Sequence, residues 1–262
     1  MSLVTPTIDL RDRVAAVTGA GAGLGLAIAH ELARSGAHVA VLERDEHTSA
    51  SAAESLAAEH GVTAVSIPTD VADSASVDRA FAAVHELFGR LDAVVNNAGV
   101  SHIGPHTQDV TDEHWQQSIA VMQTGVFYCM RAAGRLMLAQ GSGSIVNISS
   151  IRGFSPNPGR LAYCAAKAAV IMMTTVAAGE WTRQGVRVNA VAPGVQRTPM
   201  WDADVAAGII DESAYLELVP AGALGDPADV GRLVAFLCSD LASYISGSTV
   251  TIDGGLTSIP AG

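Results

Sequence analysis

Lysine is almost absent from this chain of 262 residues: of its 15 basic residues only Lys167 is a lysine, and the rest are arginines. A composition that avoids lysine everywhere else points to a place where guanidinium cannot substitute. The amine is a compact point charge that donates in several directions and can give up a proton. Cysteine is nearly as scarce. Cys129, Cys164 and Cys238 are odd in number and widely spaced, which argues against a disulfide framework and a zinc knuckle. Charged residues make up only 16% and the net charge is -11 with no basic stripe, so nucleic acid and anionic membrane are not expected partners. No apolar run approaches the length that spans a bilayer, and Met1 to Arg13 lacks a charged-then-apolar signal pattern. A cytoplasmic protein is therefore expected. All eight histidines fall in the first 114 residues. His102 and His106 come closest to a ligand pair, but Gly104 and Pro105 break any helix that would align them, so no metal site is expected.

What is abundant is Ala, Val, Leu and Gly, within a hydrophobic fraction of 49%. Short β-branched runs alternate with alanine-rich amphipathic segments. Val14-Thr18, Val39-Leu42, Ala64-Pro68, Ala93-Val95, Ser144-Ile148, Arg187-Val191 and Ser248-Ile252 read as strands. Helices are predicted over Leu24-Ser35, Thr48-His60, Ala75-Phe88, Trp115-Gln140 and Leu161-Arg183, and after Pro227. Strands of one sense need long crossovers, so the pattern implies a single α/β domain over residues 1–262. Its fold class is a Rossmann-type doubly wound sheet of seven mainly parallel strands with helices on both faces. Residues 199–224 interrupt the alternation with Met200, Trp201, Ile209, Ile210, Tyr215 and Leu218 among acidic residues, which reads as a mobile lid.

The string Thr18-Gly19-Ala20-Gly21-Ala22-Gly23-Leu24-Gly25 follows the first predicted strand and opens the first helix. Glycines there let the backbone approach a pyrophosphate, which the helix N-terminus attracts through free N–H groups and its dipole. Glu43 ends the second strand, where a carboxylate would accept hydrogen bonds from an adenosine ribose; it would repel a 2′-phosphate, although Arg44 could pair with one. NAD is the expected cofactor. Tyr163 and Lys167 stand four apart on a predicted helix, one turn from each other on one face. A free phenol is a poor base at neutral pH, and a neighbouring ammonium plus a positively charged nicotinamide would stabilise its phenolate. Tyr163 is then a candidate general acid/base. A hydroxyl from Ser149 or Ser150, just after the fifth strand, could hold the substrate oxygen.

Taken together these residues carry a likeness: from Val14 to Gly255 the sequence resembles the short-chain dehydrogenase/reductase family. The matching pieces are the glycine string, Asp70-Val71, Asn96-Asn97-Ala98-Gly99, Ser150, Tyr163 with Lys167, Pro193-Gly194 with Thr198, and Asp253-Gly254-Gly255. The resemblance implies cofactor contacts from Gly19, Gly21, Gly23, Leu24, Gly25 and Glu43, and adenine contacts from Asp70 and Val71. It also implies that Asn97, Ala98 and Gly99 border the cofactor after the fourth strand. Pro193, Gly194, the Val195 backbone and Thr198 would surround the nicotinamide, with Tyr163 and Lys167 touching the cofactor as well. It selects Ser150, thirteen positions before the tyrosine, to complete a catalytic Ser150, Tyr163 and Lys167, and it implies homotetramers built partly through the helix from Leu161 to Trp181. One position departs from the pattern. Met122 stands where many members place an asparagine that keeps a helix kink and a water-mediated proton path to the lysine.

The expected activity is hydride transfer between NAD(H) and a secondary alcohol or ketone. Phe154, Met200, Trp201, Ile209 and Tyr215 suggest a neutral, partly apolar substrate, while Arg152 and Arg160 could bind a carboxylate or sulfonate. One alternative is an NADP-dependent 3-oxoacyl-(acyl carrier protein)-type reductase. Its acidic partner would want a basic docking face that Ala139 to Ser144 does not offer. The other alternative is a non-catalytic dinucleotide sensor.

Overall fold

A computed structural model describes residues 7–100 and 104–258. Its strands are β1 (Val14–Thr18), β2 (His38–Glu43), β3 (Ala64–Pro68), β4 (Ala93–Asn96), β5 (Gly143–Ile148), β6 (Val186–Pro193) and β7 (Thr249–Ile252). They form one seven-stranded sheet in the order β3-β2-β1-β4-β5-β6-β7. Every neighbouring pair is parallel. The central strands are apolar on both faces because helices cover both. In β1, Ala15 and Val17 face one core with Ile28, Leu32, Val230 and Val234. Val14 and Ala16 face the other, with Phe81, Val84, Met137 and Val170. Each large side chain so buried contributes about 1.5–3 kcal/mol.

The covering helices are α1 (Gly23–Arg34), α2 (Glu46–His60), α3 (Ser74–Phe88), α4 (Asp112–Ile119), α5 (Gly125–Gln140), α6 (Leu161–Trp181), α7 (Pro199–Ala206), α8 (Glu212–Leu218) and α9 (Pro227–Cys238). Local chemistry sets their ends. Asp45 accepts a hydrogen bond from Thr48 N to start α2, and left-handed Gly61 ends it.

One expectation is refined and another needs correction. The helix expected over Trp115–Gln140 is α4 and α5 joined by a π-helical turn, Ala120–Thr124, that contains Met122. An extra residue in the helical repeat is thus accommodated there without an asparagine. The helical stretch Leu161–Gln184, which holds an 18-residue window of mean hydropathy 1.6, is also long and apolar enough by length and composition to cross a bilayer, contrary to the reading that no run approaches that length. Alanines and methionines carry that hydropathy, in place of the Leu and Ile runs that mark a span. In the fold Ala166, Lys167, Val170, Thr174, Ala177 and Ala178 of this helix are buried against the protein.

Candidate active site

Because the strands are parallel, their C-terminal ends share one edge, and the sheet order reverses direction between β1 and β4, where ligands of such folds collect. The residues singled out by sequence all lie in or beside loops at this edge. Gly19 to Leu24 follow β1, with Gly25 in the first turn of α1; Glu43 ends β2; Asp70 and Val71 follow β3; Asn97, Ala98 and Gly99 follow β4; Ser150 follows β5; and Pro193 to Val195 end or follow β6. Thr198 caps α7 by accepting from Trp201 N at 3.3 Å.

The turn after β1 is shaped for an anion. Side-chain oxygens cap α2, α3, α4, α7, α8 and α9, whereas the N-cap of α1, Ala22, supplies none. The first N–H groups of α1 are therefore left for another acceptor. At Gly23 (φ +56) a Cβ would meet nothing within 4 Å, so the turn is open to its outside. The inner side is closed: Asn97 donates through Nδ2 to the carbonyls of Thr18 (3.0 Å) and Gly19 (3.2 Å). Glu43 reaches over Gly21, where a Cβ would come within 2.9 Å of its Cγ. One Glu43 oxygen accepts from Arg44 N at 2.7 Å. Asp70 accepts from Ala72 N at 2.9 Å, and Val71 is buried against Gly125. These donors and this cradle fit a dinucleotide.

The two serines separate cleanly. Ser149 donates to the Lys167 carbonyl at 2.8 Å and is committed to α6. Ser150 accepts from Arg152 N at 3.1 Å, and its hydroxyl lies near enough to the Tyr163 phenol to favour its ionisation. Lys167 is buried; its Nζ donates to the Ile148 carbonyl at 2.8 Å and lies 5.7 Å from the centroid of the Tyr163 ring. Burial pushes the Lys167 pKa down to about 8, so the side chain keeps its proton at neutral pH. Burial pushes the Tyr163 phenol up, while the Ser150 hydrogen bond and the charge of Arg160 pull it down. Serine, tyrosine and lysine are therefore brought together as sequence predicts.

Sequence reasoning missed several supports. Thr18 Oγ1 accepts from both Asn97 N and Ala98 N at 3.0 Å and so ties the two loops at the switch point together. A buried chain runs from Asn96 to Asn147 (2.7 Å) and on to Thr174 (2.9 Å), linking β4, β5 and α6 behind the site. The available signal was a polar residue inside an otherwise apolar strand. Met122 is fully buried and reaches toward Gly99. Histidine placement also differs from expectation. His102 lies outside the described residues, and among the described residues the group with metal-ligand spacing is His30, Glu59 and His60. There His30 Nδ1 and His60 Nε2 satisfy each other at 3.0 Å. Thirty residues separate that pair, beyond any local spacing rule.

Over the edge lie α7 and α8. Trp201 Nε1 donates to Glu212 at 2.8 Å, Arg197 bridges Asp202 (3.1 Å) and Glu212 (2.7 Å), and Trp201 packs edge-on against Tyr215 with ring centroids 5.2 Å apart.

Comparison with known proteins places the chain in the class this geometry suggests, α/β oxidoreductases that bind a nicotinamide dinucleotide. It belongs to the short-chain dehydrogenase/reductase family. A family model described as enoyl-(acyl carrier protein) reductase matches residues 19–257. A 2,5-dichloro-2,5-cyclohexadiene-1,4-diol dehydrogenase of Sphingobium indicum is 39% identical over 246 residues, 94% of this chain and 96% of the relative. Among solved structures, one described as a short-chain alcohol dehydrogenase of Sinorhizobium meliloti superposes with TM-score 0.90 at 36% identity, covering 97% of this chain and 99% of that one. Another, described as a 2-deoxy-D-gluconate 3-dehydrogenase of Agrobacterium tumefaciens with bound NADP, superposes with TM-score 0.87 at 32% identity over 97% of this chain and all of that one.

Proposed function

We propose that the protein is an NAD(H)-dependent dehydrogenase or ketoreductase acting on a secondary alcohol or ketone, with Tyr163 as general acid/base. The observation that carries this reading is the Tyr163 phenol near the Ser150 hydroxyl, beside the buried ammonium of Lys167, at the edge that bears the glycine turn. Gly19 to Gly25 and the N-terminus of α1 would take the pyrophosphate, Glu43 the adenosine ribose, Asp70 and Val71 the adenine, and Thr198 with the Val195 backbone the nicotinamide end. A bound nicotinamide supplies the hydride acceptor or donor. The chain itself handles the proton. Ser150 holds the substrate oxygen by a hydrogen bond, and Tyr163 Oη takes the alcohol proton in oxidation and returns it in reduction. Lys167 contributes positive charge that favours the phenolate, offsetting the rise that burial imposes. The helices α7 and α8 supply the lid, which closes water out and lays Trp201 and Tyr215 beside the reacting carbon.

Glu43 supports NAD over NADP. Its carboxylate is positioned by the Arg44 N–H and would accept from a ribose 2′-hydroxyl but repel a 2′-phosphate. Replacement of Glu43 by Ala is expected to shift the NADPH-to-NADH ratio of kcat/KM toward NADPH by about tenfold or more, the size of a hydrogen bond to a charged group. An unchanged ratio would show that Glu43 does not set cofactor choice.

A groove between α5 and α6 supports a reading of the assembly. Between them runs an apolar groove of about 660 Å³ lined by Phe127, Met130, Met172, Met173, Val176 and Trp181. Met172 is 63% exposed and Val176 53%. An apolar face this contiguous fits a subunit contact, and the proposal is a homotetramer that buries it. Light scattering of the wild type at micromolar concentration should give a tetramer mass, and Met172→Glu should lower it. A monomer mass for the wild type would contradict the assignment.

A further inference from the structure

Seven arginines, Arg11, Arg13, Arg34, Arg79, Arg90, Arg197 and Arg232, meet carboxylates, as a chain with 26 acidic residues readily allows. Arg152 and Arg160, which flank the Ser150 to Tyr163 segment, meet none among the described residues. Arg152 Nη1 touches only the carbonyls of Ser155 and Pro156, at 3.5 and 3.4 Å, the outer limit of hydrogen bonding. Arg160 stands at the N-cap of α6 without a capping bond. Both side chains are half-buried.

A third polar group joins them. The Tyr215 hydroxyl, carried by α8, is buried and has no hydrogen-bond partner. Burial raises the Tyr215 phenol, and the charges of Arg152 and Arg160, which lie close enough to act on it, pull it back, as they do that of Tyr163. Asp253 also acts on Tyr215, but its carboxylate is already committed to the Gly255 N–H and to the N–H and hydroxyl of Thr257. Two guanidinium groups without a carboxylate partner and a phenol without a hydrogen-bond partner thus act on one another and on the catalytic tyrosine. Buried polar groups in proteins are almost always satisfied, and like charges held near one another are stabilised by an anion between them.

We propose that the substrate carries an anionic group, a carboxylate or sulfonate, held by Arg152, Arg160 and the Tyr215 hydroxyl while its carbinol or carbonyl oxygen sits on Ser150 and Tyr163. This rests on the oxidoreductase reading and narrows the neutral substrate that the apolar lid residues suggested. The apolar side chains Phe154, Met200 and Trp201 then contact the carbon chain between the two polar ends. Planar guanidinium matches carboxylate and sulfonate oxygens in pairs, which a single lysine would not do.

The test uses dead-end complexes, so it reads binding apart from turnover. With the wild-type protein saturated by NADH, 3-hydroxybutanoate, 4-hydroxypentanoate and 5-hydroxyhexanoate are titrated against their methyl esters by change in NADH fluorescence. At least one acid should bind about tenfold or more tighter than its ester, as expected for a charge-assisted hydrogen bond, and Arg152→Gln and Arg160→Gln should each remove that preference while leaving NADH affinity and thermal midpoint unchanged. Tyr215→Phe should weaken acid binding less than either arginine variant. Equal binding of acids and esters, or no binding of any acid, would overturn the proposal. So would an acid preference that survives both arginine substitutions. Failure of the oxidoreductase reading looks different: acids would bind with the predicted preference, yet the corresponding oxo acids would not oxidise NADH.

Discussion

Tyr163→Phe is expected to lower kcat by about 10²–10⁴-fold, the usual worth of a positioned general acid/base, while NADH affinity stays nearly unchanged. The substitution removes one oxygen and keeps the ring that packs beside Lys167, whose Nζ remains anchored on the Ile148 carbonyl. What is lost is the phenol near Ser150, and with it the proton carrier for the substrate oxygen. The pH dependence follows from the same groups. Burial alone raises the phenol, so its basic form is scarce at neutral pH unless neighbouring positive charge offsets that rise. Ser150 and the charges of Arg160 and Arg152 supply part of that offset, and Lys167, brought down to about 8, still carries its proton below that pH. Alcohol oxidation should therefore speed up as pH rises through the phenol's ionisation, and ketone reduction should slow. Activity of the Phe variant in the wild-type range would remove Tyr163 from its assigned role.

Gly25→Ala is the second large effect expected, and it acts through space. A Cβ on Gly25 would lie 2.1 Å from the Gly19 carbonyl oxygen and 2.5 Å from Asn97 Nδ2. Neither neighbour can yield cheaply: the first is backbone, and the second is held by the Thr18 and Gly19 carbonyls. Such overpacking costs about 1–3 kcal/mol and occasionally more. Relief would push Gly19 outward, which spoils the turn that faces the pyrophosphate. The variant should lose both thermal stability and most NADH affinity, read by thermal unfolding and fluorescence titration. Gly179→Ala in α6 is the control, because its Cβ meets nothing within 4 Å. There the substitution should be neutral or stabilising by about 0.4–1 kcal/mol. Equal behaviour of the two variants would show that the close approach of α1 to the β4 loop is not what Gly25 serves.

The fold was readable because period, punctuation and length agreed. Apolar runs of strand length, each followed by an alanine-rich helical stretch, leave few arrangements besides a parallel sheet with two covered faces. The glycine turn, Glu43 and the Tyr163–Lys167 pair were legible because each is local, within a turn of helix or one strand end. Ser150 over Ser149 was not decided by spacing alone; it took a family resemblance, and the geometry then showed the physical reason, since Ser149 is spent on the Lys167 carbonyl. Contacts between distant segments left little local trace: Thr18 on the Asn97 turn and His30 on His60 left none, and Asn96 on Asn147 only a polar residue in an apolar strand. The π-helical turn around Met122 left no sequence signal, because it is a feature of the backbone and not of one side chain.

The account stands most directly on a paired titration of the untagged protein with NADH and NADPH, followed by nicotinamide absorbance in the presence of a panel of ketones, oxo acids and secondary alcohols. It predicts tighter binding of NADH than of NADPH and oxidation of NADH by at least one ketone or oxo acid. Binding of neither dinucleotide, or binding of NADH without turnover of any panel member, would contradict it.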